Sequence, residues 1–234
     1  MRRAFAFLVA LGSLAGTTLN AQILYFNDGT RGTDRMAQAL STFSGVTTAS
    51  SASDFATKIG GGGYELGIFM VQNYPPTFYD SAIHALANFE NSGGKVIYTD
   101  SYLNNTYAAL FGVQWTGSTD ANSFVVTSPD LASGLGGPVN LINPGYGVYS
   151  MGVGGGTSAA YFTTSLDTAI AIGNNGKSIV NGFLTDTFAV GNQGVQLYQN
   201  EIVTILGPAV VPEPSTLALA GLGGLGLLLL LRRK

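Results

Sequence analysis

The run Leu66-Gly67-Ile68-Phe69-Met70-Val71 is apolar at every position, so neither face of a strand built from it can be left to water. Such a strand belongs in the middle of a sheet covered on both sides. Ile23-Leu24-Tyr25-Phe26, Val46-Thr47-Thr48 and Val96-Ile97-Tyr98-Thr99 read as three further strands, with helical patterns between them. Thr33 is placed to cap a helix carrying Met36, Leu40 and Phe43, closed by Gly45. Ser53 is placed to cap a shorter helix with Phe55 and Ile59 on one face, ahead of glycines 60–63. Phe78, Ala82, Ile83, Leu86 and Phe89 form the stripe of a third helix, which stops at Gly93-Gly94. Strands alternating with helices in this way predict right-handed crossovers and an α/β fold: a doubly wound, mainly parallel sheet. The expected strand order is flavodoxin-like, 2-1-3-4.

From Thr116 onward the pattern changes to short strands and Gly-rich turns, predicting an antiparallel extension: Ser123–Thr127, Val148–Val153, Ala159–Phe162, Ala169–Ile172 and Ser178–Phe183. The Asn-Gly pair in Asn174-Asn175-Gly176 marks a hairpin between the last two. A closing helix from about Gly194 to Leu206 places Val195, Tyr198, Ile202 and Ile205 on one face. Residues 22–208 are expected to form one domain.

The two ends differ from this body. Met1-Arg2-Arg3, the apolar run Ala4–Ala15 and the small-residue stretch ending at Ala21 have the tripartite form of a signal peptide over residues 1–21. Leu19 is larger than the usual residue three positions before cleavage. An uncleaved anchor is the alternative, although about a dozen apolar residues is short for a bilayer span. At the other end, Pro212-Glu213-Pro214 precedes an apolar stretch from Ser215 to Leu231, and Arg232-Arg233-Lys234 follows. That length is marginally enough for a transmembrane helix over about 215–231, with its basic end cytoplasmic. Glycines 221, 223, 224 and 226 suit close helix contact, though small residues are frequent in spans generally.

Five of the ten basic residues belong to these ends. Residues 22–211 hold five basic side chains against twelve acidic ones, a net of −7, so a phosphate backbone is repelled and no nucleic acid partner is expected. The chain has no cysteine, which excludes disulfides, thiolate metal sites and a Cys nucleophile together.

The tail over residues 209–234, with Pro212, Glu213 and Pro214 ahead of an apolar segment and an Arg-rich end, closely resembles the PEP-CTERM sorting signal. That resemblance implies exosortase as a partner and transient residence in the inner membrane as precursor. It further implies release to the cell surface or an extracellular matrix, in settings where exopolysaccharide or biofilm is made. The body resembles the class I glutamine amidotransferase-like superfamily, particularly its trehalose-utilisation-type members. The likeness rests on Tyr64-Glu65-Leu66, on Phe89-Glu90-Asn91-Ser92-Gly93-Gly94-Lys95, on Ser128-Pro129-Asp130-Leu131 with Gly134-Leu135, and on Asn200-Glu201.

Active members of that superfamily carry a nucleophilic Cys on a tight turn after a central strand, with a His partner. Here the turn is Thr99-Asp100-Ser101-Tyr102, without the glycines of a strained elbow. Ser101 would need a base, and the single histidine, His84, falls on the solvated face of its helix with Asp80, Asn88 and Asn91. No catalytic residue, cofactor or metal site is therefore assigned. The loops at the carboxyl ends of the strands remain the default ligand site, and Asn27, Asp28, Asn73, Tyr74, Asp100 and Ser101 are the candidate binding residues. Amides, carboxylates and aromatic rings together suit sugar hydroxyls and apolar sugar faces; the same residues also serve as ordinary caps and turn formers. Asp28 with Asp100 offers a weaker divalent-cation reading. Trp115 is read as core or strand-edge packing in preference to a sugar platform, and Asp186 as a cap of the turn that follows.

The leading expectation is an exported, exosortase-sorted surface or matrix protein acting as a non-catalytic binding or structural module, with extracellular polysaccharide as the candidate ligand. The alternatives are a carboxylate-based hydrolase or transferase acting on envelope carbohydrate, and a permanently tethered periplasmic subunit.

Overall fold

The computed structural model describes residues 21–143, 145 and 150–207. The signal-peptide reading, apart from Ala21, and the sorting tail lie outside the described residues, as does Val148. In chain order the elements are β1 (Ile23–Asn27), α1 (Arg35–Leu40), β2 (Val46–Thr48), α2 (Ala52–Gly61), β3 (Leu66–Val71), α3 (Asp80–Asn91), β4 (Lys95–Asp100), α4 (Asn105–Ala108), β5 (Gln114–Thr119), β6 (Ser123–Val126), α5 (Pro129–Ala132), β7 (Val139–Asn140), β8 (Ser150–Gly154), β9 (Thr157–Phe162), β10 (Thr168–Gly173), β11 (Ser178–Asn181) and α6 (Gly191–Leu206).

Among the described residues one sheet runs β2-β1-β3-β4-β11-β10-β9-β6-β7, and β5 pairs with β8 in a separate ribbon. The expected order 2-1-3-4 is found, with β1, β2, β3 and β4 parallel. All six residues of β3 are buried, as a central strand with two covered faces requires. Side chains alternate between two cores. Ile23, Tyr25, Leu66, Ile68, Met70 and Ile97 face α1 and α6, while Leu24, Phe26, Phe69, Val71, Val96 and Tyr98 face α2 and α3. Gly67 is what lets α3 lie so close, since a Cβ there would stand 2.6 Å from Leu86 Cδ1.

Several expectations are corrected. The sequence pattern puts Ser178–Phe183 in the antiparallel extension, but β11 ends at Asn181 and pairs parallel with β4 while antiparallel to β10. It therefore hinges the two halves, and the extension proper begins at β10. Asp34, not Thr33, caps α1 through the Ala37 N–H, with the preceding Gly32 N–H held by Asp186 of a distant loop. Ser51, not Ser53, caps α2, which absorbs Gly60 and Gly61. Phe78 is 73% exposed on a single 3-10 turn, and Tyr79 takes the inward place instead, packing against Phe26 and Phe69. The closing helix starts at Gly191, one turn earlier than its apolar stripe indicates.

Candidate functional site

The carboxyl ends of β1, β3, β4 and β11 point the same way, and four loops meet there. The loop after β1 is built on itself: Asn27 Oδ1 accepts from the Gly29 N–H (2.9 Å), and Asn27 Nδ2 donates to Asp34 Oδ2 (2.7 Å). Asp28 reaches across to the loop after β3, where its carboxylate accepts from the backbone N–H groups of Gln72 (2.6 Å), Asn73 (3.1 Å) and Tyr74 (3.0 Å). Burial raises the Asp28 carboxyl above the ordinary carboxylate value, while these donors and the Tyr79 hydroxyl pull it down. Tyr79 is in turn pushed up to about 12 by its burial and the Asp28 charge.

Asp100 ends β4 with no exposed surface. The Tyr98 hydroxyl donates to its Oδ2 (2.8 Å), and the Tyr102 N–H donates to its Oδ1 (2.7 Å). Burial pushes this carboxyl up to about 7, with the Asp28 charge adding to the effect. Beyond β11, the Asp186 carboxylate accepts from the N–H groups of Arg31 and Gly32 (both 2.8 Å). Asp186 thus ties the β11–α6 connection to the first loop, rather than capping the turn that follows it.

Between these loops lies a cleft of about 420 Å³, lined by Arg31, Gln72, Asn73, Ser101, Tyr102 and Trp115 among others. Its size is that of a small-ligand pocket. Gln72 has no exposed surface; its Oε1 accepts from the Thr185 N–H (2.8 Å), but its Nε2 makes no hydrogen bond within the protein. The Ser101 Oγ is likewise buried without a protein partner. A buried polar atom left unpaired is costly, so a cleft wall carrying two of them is suited to a polar ligand.

The aromatic wall comes from the ribbon. β5 pairs antiparallel with β8, and a register shift between Trp115 and Gly117 re-aims the strand at Trp115, which is 36% exposed beside the cleft. The ribbon lies against the main sheet at Gly182, whose N–H and C=O bond to Ala169 and Met151; a Cβ there would stand 1.9 Å from the Met151 carbonyl oxygen.

Of the candidate residues, Asn73 and Ser101 line the cleft. Asn27, Asp28 and Asp100 are spent on holding its loops, and Tyr74 stands 49% exposed beside Asn73, its ring 6.1 Å from that of Phe78. His84 is exposed on α3, with Nε2 3.6 Å from Asp80 Oδ1, and neither residue lines the cleft. Among the described residues no group of three His, Cys, Asp or Glu side chains is arranged to hold a metal ion.

Residues 210–234 match the PEP-CTERM protein-sorting motif. The chain carries an exosortase sorting signal. It is thereby marked as an exported protein that resides transiently in the membrane before the signal is removed. No curated protein matches the sorted chain in sequence. In structure, its body is similar to a protein from Thermoplasma acidophilum described as one of the subunits of a GMP synthase, with a TM-score of 0.56 and 11% identity over 80% of this chain and 94% of that one. The exosortase-sorted body thus has a class I glutamine amidotransferase-like fold, and fold alone assigns no activity. Of the other cleft residues, Arg31, Gln72 and Tyr102 stand on the strand-end loops that the sequence marks as the default ligand site, whereas Trp115, read from the sequence as packing, is one that sequence reasoning missed. Gln72 follows a fully apolar strand, which foretells its burial, whereas nothing local marks Trp115 as facing a cleft formed by residues far along the chain.

Proposed function

We propose that the mature protein is a non-catalytic carbohydrate-binding module of the cell surface or extracellular matrix, with a neutral segment of extracellular polysaccharide as its ligand. In this reading the signal peptide is removed after Ala21, residues 22–208 form the module, and exosortase cuts within the sorting segment of residues 209–234, near Pro214, so that the membrane helix at about 215–231 is lost. The observation that carries the reading is the cleft wall: two ring systems, Trp115 and Tyr102, face the same space as Asn73, Ser101 and the unpartnered Gln72 amide. A sugar presents an apolar face to a ring and hydroxyls to amides and serine, so one ligand satisfies both kinds of group. The acidic balance of the body disfavours a strongly anionic polymer. Asp28 and Asp100, the pair on which a glycosidase mechanism would rest, are engaged by backbone and tyrosine donors.

A glycan array followed by titration calorimetry tests this. Trp115→Ala is expected to weaken the best-bound sugar roughly tenfold or more, the equivalent of about 1.4 kcal/mol, with the melting temperature little changed. One observation favours an enzyme instead: Asp100, raised to about 7, sits next to Ser101 with its unpartnered Oγ. Turnover of a bound sugar that Asp100→Asn or Ser101→Ala abolishes would establish that reading in place of the module.

For sorting, Glu213→Ala is expected to leave export intact and block tail removal, so that full-length chain accumulates in the membrane. Immunoblotting of membrane and medium fractions reads this out. Unchanged release of the variant would show that Glu213 is not recognised.

A further inference from the structure

We propose that, while the sorting tail is attached, the domain stands on the bilayer by the face at the amino ends of its parallel strands, with the cleft turned away from the lipid. This rests on the reading of the tail as a membrane span. The amino ends of β1, β3, β4 and β11 form one base: the Glu65 N–H donates to Gln22 O (2.8 Å), the Lys95 N–H to Glu65 O (3.0 Å) and the Val96 N–H to Lys177 O (2.8 Å). Gln22, the first residue after the expected signal cleavage, is therefore at the base.

The other end of the chain arrives there too. α6 starts near the cleft, beyond the loop in which Asp186 holds Arg31 and Gly32, and runs 16 residues back along the sheet, about 24 Å. It ends where Leu206 shares a groove with Tyr64, Glu65, Phe89 and Lys95. The sorting motif begins at residue 210, and from Gly207 to Ser215 the chain can extend at most about 30 Å, with three prolines in the interval. A tether leaving the base, no longer than the domain is wide, favours that face towards the membrane and puts the body of the domain between the lipid and the cleft.

Charge agrees with this orientation. The three lysines of the body, Lys58 near the end of α2, Lys95 and Lys177, all lie towards the base, where they offset most of the charge of Asp54, Glu65, Glu90 and Asp130, the last of which shares a groove with Thr204 and Gly207. Most of the net −7 of the body therefore resides elsewhere, and the base is the face that anionic headgroups repel least. With both hydrophobic ends leaving one face, the domain can fold while held at both, and the cleft is open to ligand before the tail is cut.

The absence of native cysteine makes the test direct. Single cysteines replace Ser92, at the base end of α3, and Phe78, just before its cleft end; both positions are exposed, and about 18 Å of helix separates them. Full-length Glu213→Ala chain carrying one or the other, labelled with a fluorophore, is reconstituted in phosphatidylcholine–phosphatidylglycerol vesicles containing a headgroup-attached energy acceptor. Energy transfer is expected to be at least several-fold stronger from position 92 than from position 78. Lys177→Cys and Asn73→Cys form a second base and cleft pair that should rank the same way. Equal or stronger transfer from the cleft-side positions overturns the proposed orientation while leaving the membrane reading intact. Release of the chain from vesicles by alkaline carbonate overturns the membrane-span reading, and the orientation with it.

Discussion

Phe69→Ala is expected to cost about 3 to 5 kcal/mol of folding stability, the usual loss for a fully buried aromatic ring reduced to a methyl group. Phe69 stands at the centre of the α2–α3 core with no exposed surface, and its ring lies 4.8 Å from Phe26, 4.9 Å from Phe55 and 6.1 Å from Tyr79. These neighbours sit on β1, α2 and the turn before α3, so the sheet and both helices would have to move together to fill the void. Because domains of this size are stable by only about 5 to 15 kcal/mol, the variant should unfold at a much lower urea concentration with an unchanged slope. A loss under about 1 kcal/mol would mean that β3 is not buried on both faces.

The second large effect is electrostatic. Glu201 on α6 has no exposed surface, and its Oε2 accepts only from Asn181 Nδ2 (3.1 Å). Its Oε1 and the Asn181 Oδ1 are buried acceptors without a donor, a deficit that a protonated carboxyl relieves. Burial pushes Glu201 up from an ordinary 4.5 to about 8, so between those values the folded chain keeps a proton that the unfolded chain has lost. The contribution of Glu201 to stability is then full below about pH 4.5 and is lost as pH rises through 8, for a total on the order of 5 kcal/mol. Asp100 adds a fall of the same sign between 3.8 and about 7. Glu201→Gln, which imitates the protonated form, should remove most of the slope above about pH 7 and raise the denaturation midpoint at about pH 8 to 9. A wild-type midpoint that rises with pH across this range would contradict the assignment.

The features legible in the sequence are those that burial writes into the chain locally. A continuous apolar run has one place in an α/β sheet, and β3 occupies it; the Asn-Gly turn at 174–176 likewise announces the hairpin that joins β10 and β11. Strand direction is not written in the same way. Ser178-Ile179-Val180-Asn181 is short, with two apolar residues between polar ends, and nothing in its own residues marks its parallel pairing with β4. The site shows the same division. Asn73 and Ser101 are identifiable because loops at strand carboxyl ends converge in such a sheet. Asn27, Asp28 and Asp100 are of the residue types that bind sugars, but they are equally the types that hold turns together, and the turns claim them. Asp100 carries a further sign: it continues the buried strand Val96-Ile97-Tyr98-Thr99, so its carboxyl is enclosed before any loop begins. Phe78 follows the helical period of α3 but precedes the helix, where a 3-10 turn points it outward.

The central claim is that this fold is a delivered module whose tail is a temporary address. The direct measurement is intact-mass and C-terminal peptide analysis of the protein recovered from the medium and surface matrix of its native host. The expected product is a chain that has lost its apolar segment and ends near Pro214. Mature extracellular protein that still ends at Lys234 would contradict it.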